Sequence, residues 1–179
     1  MLQRWRKTKT NYKKKNYAGF LLIQIGVVLA LFVLIITLSL SHSNLLRKQI
    51  MHAEVEKLAV LFRYFQQRAC VTQREQKLVF DERTGSYVCD TYKQTLPFGI
   101  QFGCIAHSYG PPSNPQTLIK KGITFKNNTV VFSPDGSISA GTVYLVDAQK
   151  KLMYALTSPI SHISFLRMYR YDSGWSCLS

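Results

Sequence analysis

Acidic residues are scarce in this sequence, and over one long stretch charge of either sign is missing. Nine Asp and Glu stand against 23 Lys and Arg in 179 residues, a formal net charge of +14. Residues 1–19 contain no acid and hold Arg4, Arg6, Lys7, Lys9, Lys13, Lys14 and Lys15, half of the whole excess. From Asn16 to Leu46 there is no Asp, Glu, Lys or Arg. So long an uncharged, largely apolar run excludes an ordinary soluble cytosolic globule. Between Gly26 and Gly85 there is neither glycine nor proline, so nothing obliges a helix begun in the apolar run to stop at its end. Aromatics are not lacking: at 12% of residues, with many β-branched side chains beside them, they exclude pervasive disorder. The length suits one domain plus an accessory segment.

Diagnostic catalytic spacings are also missing. There is no G-x-S-x-G elbow, no H-E-x-x-H, no Walker loop and no EF-hand loop. Cys104 and His107 have C-x-x-H spacing, but without a second such pair they read as loop residues rather than a metal site. Asn127-Asn128-Thr129 matches a glycosylation sequon, which has meaning only in a cell with that machinery. The expectation is a non-enzymatic protein with no catalytic residues, no cofactor and no metal.

What is present begins with residues 20–41, FLLIQIGVVLALFVLIITLSLS. At about 1.5 Å per residue these cover roughly 33 Å, close to the ~30 Å apolar thickness of a bilayer. The seven cations ahead of them, against Arg47 and Lys48 behind, favour a cytoplasmic N-terminus and a translocated body. Three readings compete. A cleaved secretory signal has the basic start and a small-x-small exit at Ser39-Leu40-Ser41, but its apolar core runs only ~7–15 residues. A plain signal anchor fits the length. The third reading rests on Lys13-Lys14-Lys15-Asn16-Tyr17-Ala18-Gly19 followed by Phe20-Leu21-Leu22-Ile23-Gln24.

That junction resembles the type IV prepilin N-terminus, a basic leader and a Gly-Phe pair ahead of a long apolar helix. The resemblance implies that a membrane prepilin peptidase cuts between Gly19 and Phe20 and methylates the new amine of Phe20. It also implies helix bundling with other pilins or pseudopilins, here through Leu29, Phe32, Leu34 and Ile36. The sequence departs from the family in one informative place: the fifth mature position, usually Glu, is Gln24. In the family that Glu is thought to neutralise a neighbouring subunit's N-terminal ammonium inside the bilayer, where an unpaired charge is costly. Gln supplies hydrogen bonds without countercharge. One explanation is a place at or near the filament tip; the other is a tolerated polar residue in a low-copy subunit.

Beyond the polar patch at 41–44, Met51, Val55, Leu58, Phe62 and Phe65 recur every three or four residues and mark one apolar helix face. A helix over about 20–68, membrane-spanning to about 41 and then amphipathic, would be roughly 70 Å long. After Cys70 the pattern turns to strands. The runs 76–80 and 86–89 flank a turn ending in Gly85, and 123–125 and 129–132 flank Asn127-Asn128. Ser133-Pro134-Asp135-Gly136 suits a tight turn, Gly110 to Pro115 reads as a loop, and 141–147 with 151–157 form a further hairpin. A last strand is expected from about His162 to Tyr171.

The run from Phe132 through Pro134, Gly136, Gly141 and Thr142 to Leu145, with Leu96-Pro97-Phe98-Gly99-Ile100 upstream, is similar to the GspH/FimT group of minor pseudopilins. That resemblance implies an α+β fold with a long N-terminal helix packed on an antiparallel β body. It divides the chain into a cleaved leader (1–19), a helix (20–68) and an extracytoplasmic domain (69–179). It further implies a single-pass bacterial inner-membrane protein with a periplasmic body, serving a type II secretion system or a type IV pilus. Cys70, Cys89, Cys104 and Cys177 all fall on the oxidising side, so at least one disulfide is expected, with the pairing open. Arg167 and Arg170, interleaved with Tyr169 and Tyr171, are candidate nucleic-acid contacts for a DNA-uptake pilin, although a partly solvated edge strand explains them as well. An unrelated anchored periplasmic β domain is the remaining alternative.

Overall fold

The computed structural model describes residues 18–110, 115–159 and 165–178. The basic leader to residue 17, positions 111–114 of the proline-rich loop and the His162 end of the expected last strand lie outside the described residues. The chain divides into two compact units, Met1–Ser43 and Asn44–Ser179.

Helix α1 runs Ala18–Thr72 and passes through 41–44 without a break, four residues past the expected end at 68. Its terminus needs no glycine. Gln73 takes a left-handed φ of 53°, and Arg74 N–H donates to Ala69 O at 3.3 Å. In the first unit, none of the apolar window within Gly19–Thr37 is buried. Thr37 Oγ1 donates to Leu34 O at 2.9 Å, so that hydroxyl is satisfied within the helix.

The second unit is built from nine strands among the described residues. They are β1 (Gln76–Asp81), β2 (Ser86–Cys89), β3 (Tyr92–Thr95), β4 (Ile100–Phe102), β5 (Thr129–Phe132), β6 (Gly141–Asp147), β7 (Met153–Ser158), β8 (Arg167–Tyr171) and β9 (Trp175–Cys177). They form two antiparallel sheets, ordered β3-β2-β1-β5 and β4-β6-β7-β8-β9. The fold is therefore α+β, with an apolar N-terminal helix and two antiparallel sheets.

The expected 76–80/86–89 hairpin is present, with Val79 opposite Val88. Its turn is held by Asp81, which accepts from Thr84 Oγ1 at 2.8 Å and from Arg83 N–H at 2.9 Å. Those two bonds hold its carboxyl below the ordinary value. The expected strand over 123–125 is reduced to a single bridge, Ile123 to Val143, although the Asn127-Asn128 turn follows with both residues at positive φ.

The core sits where α1 meets both sheets. Met51, Val55, Leu58, Phe62, Phe65 and Ala69 are buried against Leu78, Phe80 and Phe132 of the first sheet and Val143, Leu145 and Leu156 of the second. Phe62 is central: its ring lies 5.5 Å from Phe132 edge-on, and 6.3 Å from both Phe80 and Phe125. Truncating a ring so placed costs about 3–5 kcal/mol. Strands β6 and β7 are buried on both faces. Their second face, carrying Tyr144, Val146, Met153 and Ala155, is covered by Ile119 with Cys104 and Ile105, and by Trp175.

Gly141 opens β6 for a steric reason. A Cβ there would meet the Phe125 ring at 2.5 Å. The next residue ties three segments together, because Thr142 N–H donates to Thr124 Oγ1 at 2.7 Å and its hydroxyl bonds Thr157 Oγ1 at 3.1 Å. Replacing Gly141 by Ala should lower stability by about 1–3 kcal/mol through overpacking. Gly174→Ala, in open space, should change it by less than about 0.5 kcal/mol. Urea unfolding of both variants checks the contrast.

Candidate functional site

The residues that sequence singles out do not converge on one place. Gly19, Phe20 and Gln24 lie in the first two turns of α1, all exposed. A Cβ at Gly19 would touch nothing within 4 Å, so packing within this chain does not demand a glycine there.

The cysteines are dispersed over the body. Cys70 is half-buried near the end of α1, beside Gly136 in the 133–137 turn. Cys89 is buried on β2, in a hollow on the Arg68 and Thr72 side of α1. Cys70 lines a different hollow, with Gln66, Gln67 and Val71. The two thiols thus line different hollows. Cys104 follows β4 and donates to Ile119 O at 3.5 Å, and Cys177 is exposed on β9. Cys70, Cys89 and Cys104 are all free thiols, so the structure carries no bridge among them. Burial pushes the Cys89 and Cys104 thiols up, against the pull of Arg68 on the first and Lys150 on the second. His107 is exposed with φ 59°, and no group of three His, Cys, Asp or Glu converges among the described residues.

Strand alternation separates the two arginines. Met168 packs against the α1 core and Tyr169 joins Trp175 on the other face, so Arg167 and Arg170 point to opposite sides of β8. Arg167 is exposed, its guanidinium 4.8 Å over the Phe165 ring. Arg170 is half-buried, with an Nε that finds no partner. Burial pushes the Tyr154 phenol up, while the charge and contact of Arg170 pull it back down. One arginine belongs to the surface and the other to the packing.

A basic hollow not grouped by the sequence lies elsewhere on the body. About 940 Å³ in volume, it is rimmed by Lys120, Lys121 and Lys126 over Ile119, Phe125 and Tyr144. Burial raises the Tyr144 phenol to about 12. The signal available in sequence was the spacing of lysines around Ile123 and Phe125, which are both buried and so turn the lysines outward.

Comparison with known protein families, with curated proteins and with solved structures found no match.

The arginine geometry has a measurable consequence. Arg170→Ala leaves the Tyr154 hydroxyl buried without its cationic neighbour and should cost about 1–3 kcal/mol. Arg167→Ala should stay within about 0.5 kcal/mol. Chemical denaturation of the two variants in parallel separates the roles.

Proposed function

We propose that the chain is a minor pseudopilin or pilin, a non-enzymatic subunit of a type II secretion pseudopilus or a type IV pilus. It is inserted in the bacterial inner membrane with its N-terminus in the cytoplasm and its body in the periplasm. The observation that carries this reading is the sharing of one helix between two environments. Residues Gly19–Thr37 of α1 are apolar and unburied, while Met51 to Ala69 of the same helix are sealed into a two-sheet body. An exposed span with this composition requires lipid or other apolar helices around it.

Two glycines support the reading further. Neither Gly19 nor Gly26 has a neighbour that a Cβ would displace. Recognition by a prepilin peptidase accounts for the first. Close approach of a neighbouring subunit's helix accounts for the second, since small residues let helix backbones come together in lipid. Gln24 removes the countercharge expected at the fifth mature position and suits a subunit at or near the filament tip. A DNA-uptake role resting on Arg167 and Arg170 together draws no support from their placement on opposite faces of β8.

Mass spectrometry of the N-terminus of the mature protein tests the proposal. Expected is a chain beginning at Phe20 with one added methyl group, and retention of the leader when Gly19 is replaced by Asp. An intact Met1 in the wild-type chain, or a cut after Ser41, contradicts it.

A further inference from the structure

One end of the five-stranded sheet gathers an unusual set of side chains. Ile100 at the start of β4 pairs with Asp147 at the end of β6, and Met153 at the start of β7 pairs with Val146 and with Tyr171 at the end of β8. The turn before β4, the β6–β7 hairpin and the turn after β8 therefore share that end. Ala148 N–H donates to Gly99 O at 2.9 Å and ties the first two together. A hollow of about 160 Å³ lined by Arg47, Ile50, Phe98 and Ala148 brings the start of the helical stripe to the same place.

The turn is built to hold Phe98 out. Ile100 N–H donates to Pro97 O at 3.2 Å across it, and Gly99 supplies the φ of 88° that the turn needs. Phe98 has a relative exposure of 108%, the highest of any large apolar side chain described. Leu46 and Ile50, four residues apart on α1, are about half exposed nearby.

This end carries charges of both signs, but the cations are in excess. Its two carboxylates are already used: Asp147 is buried and accepts from the Lys151 and Leu152 N–H groups at 2.7 and 2.9 Å, and Asp172 pairs with Lys48 at 3.1 Å. Arg47, Lys150 and Lys151 are exposed and form no ion pair among the described residues. A protruding aromatic ring beside Arg47, at a sheet end that also carries Lys150 and Lys151, matches a lipid surface, with its apolar interior beneath anionic phosphates. The covalent chain points to the same occupant. Arg47 follows Ser41, the end of the apolar run, by six positions, a reach of at most ~22 Å.

We infer that this end of the body is a membrane foot. Phe98 enters the headgroup boundary of the bilayer that holds the span, and Arg47, Lys150 and Lys151 engage lipid phosphates. The inference rests on the membrane reading of the N-terminal helix and adds a second, peripheral contact that holds the body against the bilayer before the subunit leaves it.

Photocrosslinking of the full chain in phosphatidylethanolamine–phosphatidylglycerol vesicles tests it. Phe98, Phe32 in the span or Val79 on β1 is replaced by p-benzoylphenylalanine, and adducts are identified by mass spectrometry. Expected are lipid adducts at 32 and 98 well above those at 79. The adduct at 98 should fall to the Val79 level in an Arg47→Glu, Lys150→Glu, Lys151→Glu chain whose adduct at 32 is unchanged. Lipid at 32 with none above the Val79 level at 98 overturns the foot alone. An adduct at 98 to a second copy of the chain overturns it in favour of a protein interface, and no lipid at 32 overturns the membrane reading and the foot together.

Discussion

The apolar stripe that α1 presents from Met51 to Ala69 is the contact on which the body depends. Each sheet has an inner face that must leave water, and the ladders of the two sheets are separate. The bridges outside the named strands do not replace a ladder between them: Ile123 to Val143 and Phe132 to Ile138 are single contacts. What joins the sheets is side-chain packing, on the helix where Phe62 is set among Phe80, Phe132 and Phe125, and directly where Phe80 of β1 meets Phe102 of β4 edge-on at 5.4 Å. Hydrophobic burial at this junction therefore fixes the position of α1 within the body as well as stabilising it. Gly141 shows how tight the junction is, because the Phe125 ring fills the space where a side chain would begin.

The same helix carries the opposite problem at its other end. Phe20, Leu22, Leu29, Phe32 and Ile36 are each more than half exposed. Side chains of this kind are stable only in lipid or among other apolar helices. A two-sided body core is a property of a folded domain, whereas a bare apolar span near the N-terminus is a property of a signal sequence, an anchor or an assembly element. Their union in one helix narrows the functional classes more than any side-chain constellation on the body does.

The sequence was legible where the physical cause was local. The three- and four-residue spacing of Met51, Val55, Leu58, Phe62 and Phe65 reported the buried face, because helix geometry alone puts those residues together. The Gly85 hairpin and the 141–147 strand were legible through their turns and β-branched runs. Long-range causes were not. Strand β3, Tyr-Lys-Gln-Thr, is largely exposed and owes its form to pairing with β2. Strand β9 owes its form to β8 and to Trp175 Nε1, which donates to Tyr109 O at 2.8 Å. The stretch around Ile123 reads as a strand in isolation, yet its pairing is a single bridge, Ile123 to Val143 of β6. The arginine pair was half legible: alternation placed Arg167 and Arg170 on opposite faces, but only packing revealed that one of them leans on Tyr154. The foot around Phe98 was illegible, because its cations come from positions 47, 150 and 151, which the packing of α1 beside the turn before β4 and the register of β4, β6 and β7 bring to one end.

On the proposed reading, this chain is a filament subunit rather than a permanently anchored domain. Quantitative mass spectrometry of sheared filaments, with labelling against the 69–179 body, tests that claim most directly. Expected is recovery of the chain in the sheared fraction at far below the copy number of the major subunit, with label concentrated at filament ends. Its complete retention in the membrane, with none in filaments, would contradict the claim.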